Sequence, residues 1–256
     1  MLPSDERGLG EPVVLLHAGV ANRTMWREHL DRLADAGFRG IALDLPGFGD
    51  AALASGPQAP WEDVLRTLRD LDVGAAHLVG NSYGAAVALR SAVVAPAAAL
   101  SLTLVSPPPP DAEPSSALQA AWDAETEALE RGDLDAAVDA VLDAWVQPGS
   151  PPALRDRIAS MQRRAFELQQ GATDVEEAPD PLEADADALS RLDIPVLALV
   201  GATDMPDFKF GAEQIATAVP DARMEVISGA GHLAPLEAPE AFWSALSRHL
   251  EDRGPR

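Results

Sequence analysis

Apolar residues fall in short runs at 13–16, 41–43, 76–79, 102–105, 196–200 and 224–227, bounded mainly by Gly, Pro or Asp. Near-continuous apolarity over so few residues suits strands buried on both faces of a parallel sheet. Between the runs, amphipathic patterns predict helices over about 24–36, 61–71, 84–95, 207–218 and 239–250, with Thr24 and Asp207 as caps. This strand–helix alternation predicts an α/β fold with a mostly parallel sheet and helices on both faces.

The rhythm breaks after Ser106, where four prolines at 107–110 lead into about 80 residues of strand-poor, helix-forming sequence. Apolar positions such as Trp122, Leu142, Trp145, Ile158 and Phe166 predict three or so helices, broken at Gly132, Gly149 and Gly171. The expected organisation is a core of residues 1–110 and 191–256 with a helical cap over 111–190. Seven carboxylates between positions 174 and 187 lack the Gly-punctuated spacing of a calcium loop and read as a solvated linker.

Composition narrows the function. The 256 residues hold 41 acidic and 19 basic side chains, a net charge of −22 that opposes binding to nucleic acid and to anionic membrane surfaces. Residues 111–190 carry 19 acidic against 5 basic groups, so the predicted cap is the most anionic third of the chain. The absence of cysteine excludes disulfides, thiolate metal sites and a cysteine nucleophile. Residues 1–12 contain Asp5, Glu6 and Arg7 and no apolar core of a signal peptide, and the longest apolar stretch is interrupted by Arg90, Ser91 and Pro96. A cytoplasmic protein without a membrane span is expected.

Gly80-Asn81-Ser82-Tyr83-Gly84 follows a predicted strand and opens a predicted helix. A sharp turn there lifts the serine hydroxyl clear of the backbone, and the small residues on either side let strand and helix approach. The hydroxyl then stands at the positive end of a helix, where an oxyanion is stabilised. Of the five histidines, His29, His77 and His249 suit surface or packing roles, and His17 suits bracing of its own loop. His232 follows a strand and a Gly-Ala-Gly turn, a placement expected of a general base. Its acid partner must be a short carboxylate on a neighbouring strand end. Asp204, 28 residues earlier, meets this best, with Asp207 and Asp111 as alternatives.

From about Glu11 onward the sequence resembles the α/β-hydrolase superfamily. The resemblance rests on the Ser82 motif, His17-Ala18-Gly19, Trp26, Asp44-Leu45-Pro46-Gly47-Phe48-Gly49, Gly201-Ala202-Thr203-Asp204 and Gly229-Ala230-Gly231-His232. It implies an α/β-hydrolase fold, catalytic Ser82, Asp204 and His232, an oxyanion hole from the Gly19 and Tyr83 N–H groups, a turn role for Asp44, and no metal or organic cofactor. Within the superfamily the chain looks most like the branch of 3-oxoadipate enol-lactonases, small-ester esterases and perhydrolase-type haloperoxidases. A small, uncharged carboxylic ester or lactone is the expected substrate, because the anionic cap repels a carboxylate unless Arg163 or Arg164 turns inward. Trp122 and Trp145 are the cap residues expected to line the pocket. A carbon–carbon bond hydrolase with the same triad and a non-catalytic receptor are the rival readings. Three departures stand out: Ala18 replaces a usual glycine, Ala85 stands in place of a second glycine after the Ser82 turn, and the N-terminal hairpin is shortened or absent, which would leave the strand around Ile41 at the sheet edge.

Overall fold

A computed structural model describes residues 1–110 and 112–251. Its strands in the first half are β1 (Ser4–Arg7), β2 (Pro12–Leu16), β3 (Arg39–Leu43), β4 (Gly56–Gln58), β5 (Ala76–Asn81) and β6 (Ala99–Val105). Helices α1 (Arg27–Asp35), α2 (Pro60–Asp70) and α3 (Tyr83–Val94) alternate with them. Three helices follow in succession, α4 (Ser116–Glu130), α5 (Leu134–Trp145) and α6 (Pro152–Gln170). The chain then forms β7 (Val175–Glu177), β8 (Val196–Gly201), α7 (Pro206–Ala218), β9 (Ala222–Ile227), the short α8 (Ala234–Glu237) and α9 (Pro239–Glu251).

Among the described residues, seven strands form one sheet in the order β1-β3-β2-β5-β6-β8-β9, parallel throughout except where β1 meets β3. Strands β5 and β8 are buried along their whole length: β8 is apolar throughout, whereas β5 also buries His77 and Asn81, whose side chains are hydrogen-bonded. Strand order reverses between β2 and β5, because the chain moves outward from β2 to β3 and then crosses back to β5. Open α/β sheets bind ligands in the crevice beyond the strand ends at such a reversal. The two loops that leave β2 and β5 carry His17-Ala18-Gly19 and Ser82.

Several expectations need correction. The strand around Ile41 is not an edge: β1 pairs antiparallel with it from Ser4 opposite Leu43 to Arg7 opposite Gly40, so the hairpin is shortened to one covering strand. Asn22, not Thr24, caps the first helical turn, its side chain accepting from the Thr24 N–H at 3.0 Å. Asp207 lies inside α7, which Pro206 opens, and receives Ser115 N–H and Oγ–H at 2.7 Å each, so it ties the start of α4 to α7. The acidic segment 174–187 is exposed at β7 yet anchored, since β7 pairs with β4 and Asp180 receives Arg90 Nε at 3.0 Å.

His29, His77 and His249 are buried packing residues. His29 and His249 each donate through Nε2 to a carbonyl, of Pro235 at 2.9 Å and Leu102 at 3.0 Å. His77 bridges Ser101 and Glu11 at 2.7 and 2.8 Å. Apolar side chains of α4 to α6, including Leu118, Val138, Leu142 and Ile158, join one continuous core with Met25, Trp26, Phe208 and Phe242. Among the described residues no helix is long and apolar enough to cross a membrane.

Candidate active site

The turn from β5 into α3 is built by steric necessity. Ser82 adopts φ 54° and ψ −115°, a region that L residues occupy only under constraint. Its N–H donates to the Val105 carbonyl at 2.8 Å, which fixes the turn against β6. A Cβ on Gly80 would lie 2.2 Å from the Gly84 carbonyl oxygen, and one on Gly84 would lie 2.3 Å from the Leu16 carbonyl oxygen. Neither position has room for a side chain, so strand, helix and the β2 loop meet around the serine. The Tyr83 N–H lies in the first turn of α3, where a helix supplies no internal acceptor.

The facing loop is held by His17. This fully buried ring donates from Nδ1 to the Ala18 carbonyl at 2.8 Å and accepts the Leu45 N–H on Nε2 at 2.9 Å. Burial pushes its pKa down to about 4, so the ring stays neutral and keeps the tautomer that both bonds demand. Buried Asp44 organises the next turn by accepting the N–H groups of Arg23 at 2.7 Å and Asp50 at 2.8 Å, together with the Arg23 guanidinium. That turn brings Phe48 edge-on to His17, with ring centres 5.0 Å apart. A Cβ on Gly19 would be in ordinary contact with the Tyr83 Cβ at 3.5 Å, so the β2 loop and the β5 turn are neighbours.

On the other side, His232 Nδ1 lies 3.0 Å from Asp204 Oδ1 and 3.3 Å from Oδ2. The Asp204 side chain is 1% exposed and also receives the Met205 N–H at 2.8 Å. Both are loop residues beyond β8 and β9, and the loops are bound together: Thr203 donates through N–H and Oγ–H to the Ala230 carbonyl, both at 3.0 Å. Asn81, inside the Ser82 motif, donates to the His232 carbonyl at 3.1 Å. Glu237 receives the Gly231 N–H and the Gln147 N–H, each at 2.8 Å, linking the His232 loop to the end of α5. Asn81 and Glu237 escape a reading of the sequence because their partners lie up to 151 positions away. Of the three carboxylates considered as partners of His232, Asp204 adjoins it, Asp207 is engaged with Ser115, and Asp111 lies outside the described residues.

The sequence profile of the alpha/beta hydrolase family matches residues 13–245. The chain belongs to the α/β hydrolase family. A relative in Cupriavidus necator, the dihydrolipoyllysine-residue acetyltransferase component of an acetoin cleaving system, is 41% identical over 103 residues, 39% of this chain and 27% of that protein. The chain thus spans little more than a quarter of the length of that curated relative. The structure of a thermophilic esterase from Thermogutta terrifontis is similar over 98% of this chain and 93% of that one, with 25% identity and a TM-score of 0.78. An enol-lactonase from Burkholderia xenovorans shares the fold at a TM-score of 0.79 and 21% identity, over 97% of this chain and 96% of that one.

In this α/β hydrolase, Ser82 and His232 open onto one cavity of about 370 Å³. Gly19, Tyr83 and Phe48 line it from the sheet side, and Trp122 and Trp145 from α4 and α5. Phe208, which the sequence reading did not single out, packs on the His232 ring at 4.2 Å between centres, and Trp145 packs on it at 4.6 Å. These contacts restrict the imidazole and remove water from it, leaving the Asp204 bond as the main polar restraint on the ring. Glu125 also lines the cavity, half-buried, and burial raises its carboxyl above the ordinary range. Arg163 and Arg164 face away, paired with Asp135 and Glu167. Among the described residues, no group of three or more His, Asp or Glu side chains is arranged to hold a metal ion.

Proposed function

We propose that this α/β hydrolase is a serine hydrolase that cleaves a small carboxylic ester or lactone lacking a carboxylate of its own. The observation that carries this reading is the buried Asp204–His232 pair, 3.0 Å apart, opening onto the same cavity as the strained Ser82. Nothing in the packing of a β-sheet calls for a serine held at φ 54° beside that pair.

In the proposed reaction, His232 Nε2 accepts the Ser82 hydroxyl proton as Oγ attacks the substrate carbonyl carbon. Asp204 holds Nδ1–H and stabilises the imidazolium. The carbonyl oxygen becomes an oxyanion and is received by the N–H groups of Gly19 and Tyr83 at the positive end of α3. Collapse breaks the bond to the alcohol oxygen, which takes the proton from His232. A water molecule then gives its proton to His232 and attacks acyl-Ser82, releasing the acid and restoring the serine.

Residues 111–190 act as a lid on the core formed by 1–110 and 191–256, with Trp122 and Trp145 as its substrate-facing residues. The outward pairing of Arg163 and Arg164 supports a substrate without a carboxylate, since neither offers a charge to meet one. The test is labelling by a fluorophosphonate, followed by a panel of esters, lactones and a vinylogous diketone. The expected result is a single adduct on Ser82, absent in Ser82→Ala, with ester or lactone turnover. A protein that is unlabelled and turns over none of the panel would refute the reading, and faster cleavage of the diketone would make it a carbon–carbon bond hydrolase.

A further inference from the structure

Glu125 is a carboxylate in a cavity otherwise lined mainly by apolar and aromatic side chains. It follows Trp122 by three positions on α4, so the two share a face of that helix. Among the described residues nothing donates a hydrogen bond to Glu125 and no cation pairs with it. The only influence raising its pKa is burial. The basic side chains of the same region are engaged elsewhere: Arg131 with Glu127, Arg155 with Asp143, Arg163 with Asp135 and Arg164 with Glu167. Half-buried Arg157 donates to the Thr24 carbonyl.

A half-buried carboxylate without a partner is less well solvated than in water, and a positive group on a ligand would offset that loss. The surroundings suit such a group, because Trp122, Trp145 and Phe208 present aromatic surface to the same cavity. Aromatic faces beside a carboxylate attract an ammonium, which is weakly solvated when alkylated and is drawn by the ring quadrupole. The excess of acidic over basic residues in 111–190, 19 against 5, attracts cations toward this face before contact.

We propose that Glu125 and the Trp122 ring form a cation subsite, and that the preferred substrate is an ester or lactone bearing an ammonium group. This inference rests on the serine-hydrolase reading and replaces the uncharged substrate expected from the sequence with a cationic one.

The test compares 2-(trimethylammonio)ethyl acetate with 3,3-dimethylbutyl acetate, which has the same shape and no charge. Wild-type protein is expected to favour the cationic ester in kcat/KM by roughly tenfold, and the ratio to fall toward one in Glu125→Gln. A second arm needs no turnover: calorimetric titration of Ser82→Ala with phenyltrimethylammonium should give saturable binding, weakened roughly tenfold when Glu125→Gln is added. Equal kcat/KM for the two esters, a ratio that survives Glu125→Gln, or no binding of phenyltrimethylammonium would overturn the cation subsite. Saturable, Glu125-dependent binding with neither ester turned over and no fluorophosphonate adduct would instead support the subsite and refute the serine-hydrolase reading.

Discussion

Gly201 and Gly231 approach so closely that a Cβ on Gly201 would lie 2.0 Å from the Gly231 carbonyl oxygen. The end of β8, which leads to Asp204, is thus packed directly on the backbone that leads to His232. This contact fixes the backbone from which the two side chains meet. Gly201→Ala is expected to push the loops apart by a fraction of an ångström to an ångström and to lower kcat on the order of 10²-fold. Steady-state kinetics beside a thermal melt provide the check. A folded Gly201→Ala protein with wild-type kcat would show that the contact does not position the pair.

Ser82 gives two separable expectations. Ser82→Ala should remove ester or lactone turnover, a loss on the order of 10⁴–10⁶ in kcat. Ser82→Gly should be equally inactive but more stable than Ser82→Ala by about 1 kcal/mol, because glycine tolerates φ 54° and ψ −115° without the strain borne by a Cβ. Chemical denaturation of the two variants measures the difference. Equal stability would mean that the turn carries no strain of its own.

The two neighbouring aspartates should separate activity from stability. Asp204→Asn is expected to lower kcat on the order of 10⁴-fold, since an amide favours the wrong imidazole tautomer. Asp207→Asn should leave kcat within a few-fold and cost about 1–2 kcal/mol of stability, because Asp207 receives both polar groups of Ser115 where α4 begins. Those bonds also hold the Asp207 pKa below its usual value against the opposing effect of burial. Loss of activity through Asp207 with Asp204 dispensable would reverse the acid assignment.

Parts of this arrangement were legible in the sequence because they answer local demands. The spacing of Gly80, Ser82 and Gly84 reports a steric contact within one turn, and five of the six apolar runs report buried strands. The run at 224–227 falls instead in β9, an edge strand that is only partly buried, with Val226 exposed. Three helices between β6 and β8 followed from periodicity and from breaks at Gly132, Gly149 and Gly171. What escaped depends on distant partners. Strand β1 is Ser-Asp-Glu-Arg, a polar edge strand whose identity comes only from pairing with β3. Asn22 displaced Thr24 as a cap because its side chain reaches both the Thr24 N–H and hydroxyl. The acidic segment read as solvated is anchored by Arg90, 90 positions before Asp180. Glu125 drew no notice because a glutamate on an acidic helix is ordinary until the cavity beneath it is seen.

Stability should depend on pH through His17. Its folded pKa, about 4, is below the unfolded histidine value of about 6.5, so the native state refuses a proton that the unfolded chain accepts. The protein is then unaffected by this group above pH about 6.5 and loses stability as pH falls toward about 4, by up to about 1 kcal/mol per pH unit. His29, whose pKa burial also lowers, acts in the same direction. Urea unfolding across this window should give a shallower slope for His17→Gln than for wild type. An unchanged slope would show that His17 protonates alike in both states.

The charge of residues 111–190 gives the last expectation. Residues 111–190 hold 19 acidic and 5 basic side chains, and Arg163 and Arg164 are paired outward with Asp135 and Glu167. A lactone carrying a carboxylate therefore meets long-range repulsion on approach and finds Glu125, not an arginine, in the cavity. Salt screens the long-range part with a Debye length of about 10 Å at 0.1 M. Raising ionic strength should increase kcat/KM for the carboxylated lactone by roughly two- to tenfold and leave that of a neutral ester nearly constant. The opposite pattern, a carboxylated lactone preferred at low salt and losing activity as salt rises, would require an inward positive charge. Arg163→Ala and Arg164→Ala would then be the variants to compare, and loss of the preference in either would assign the site to an enol-lactonase type of substrate.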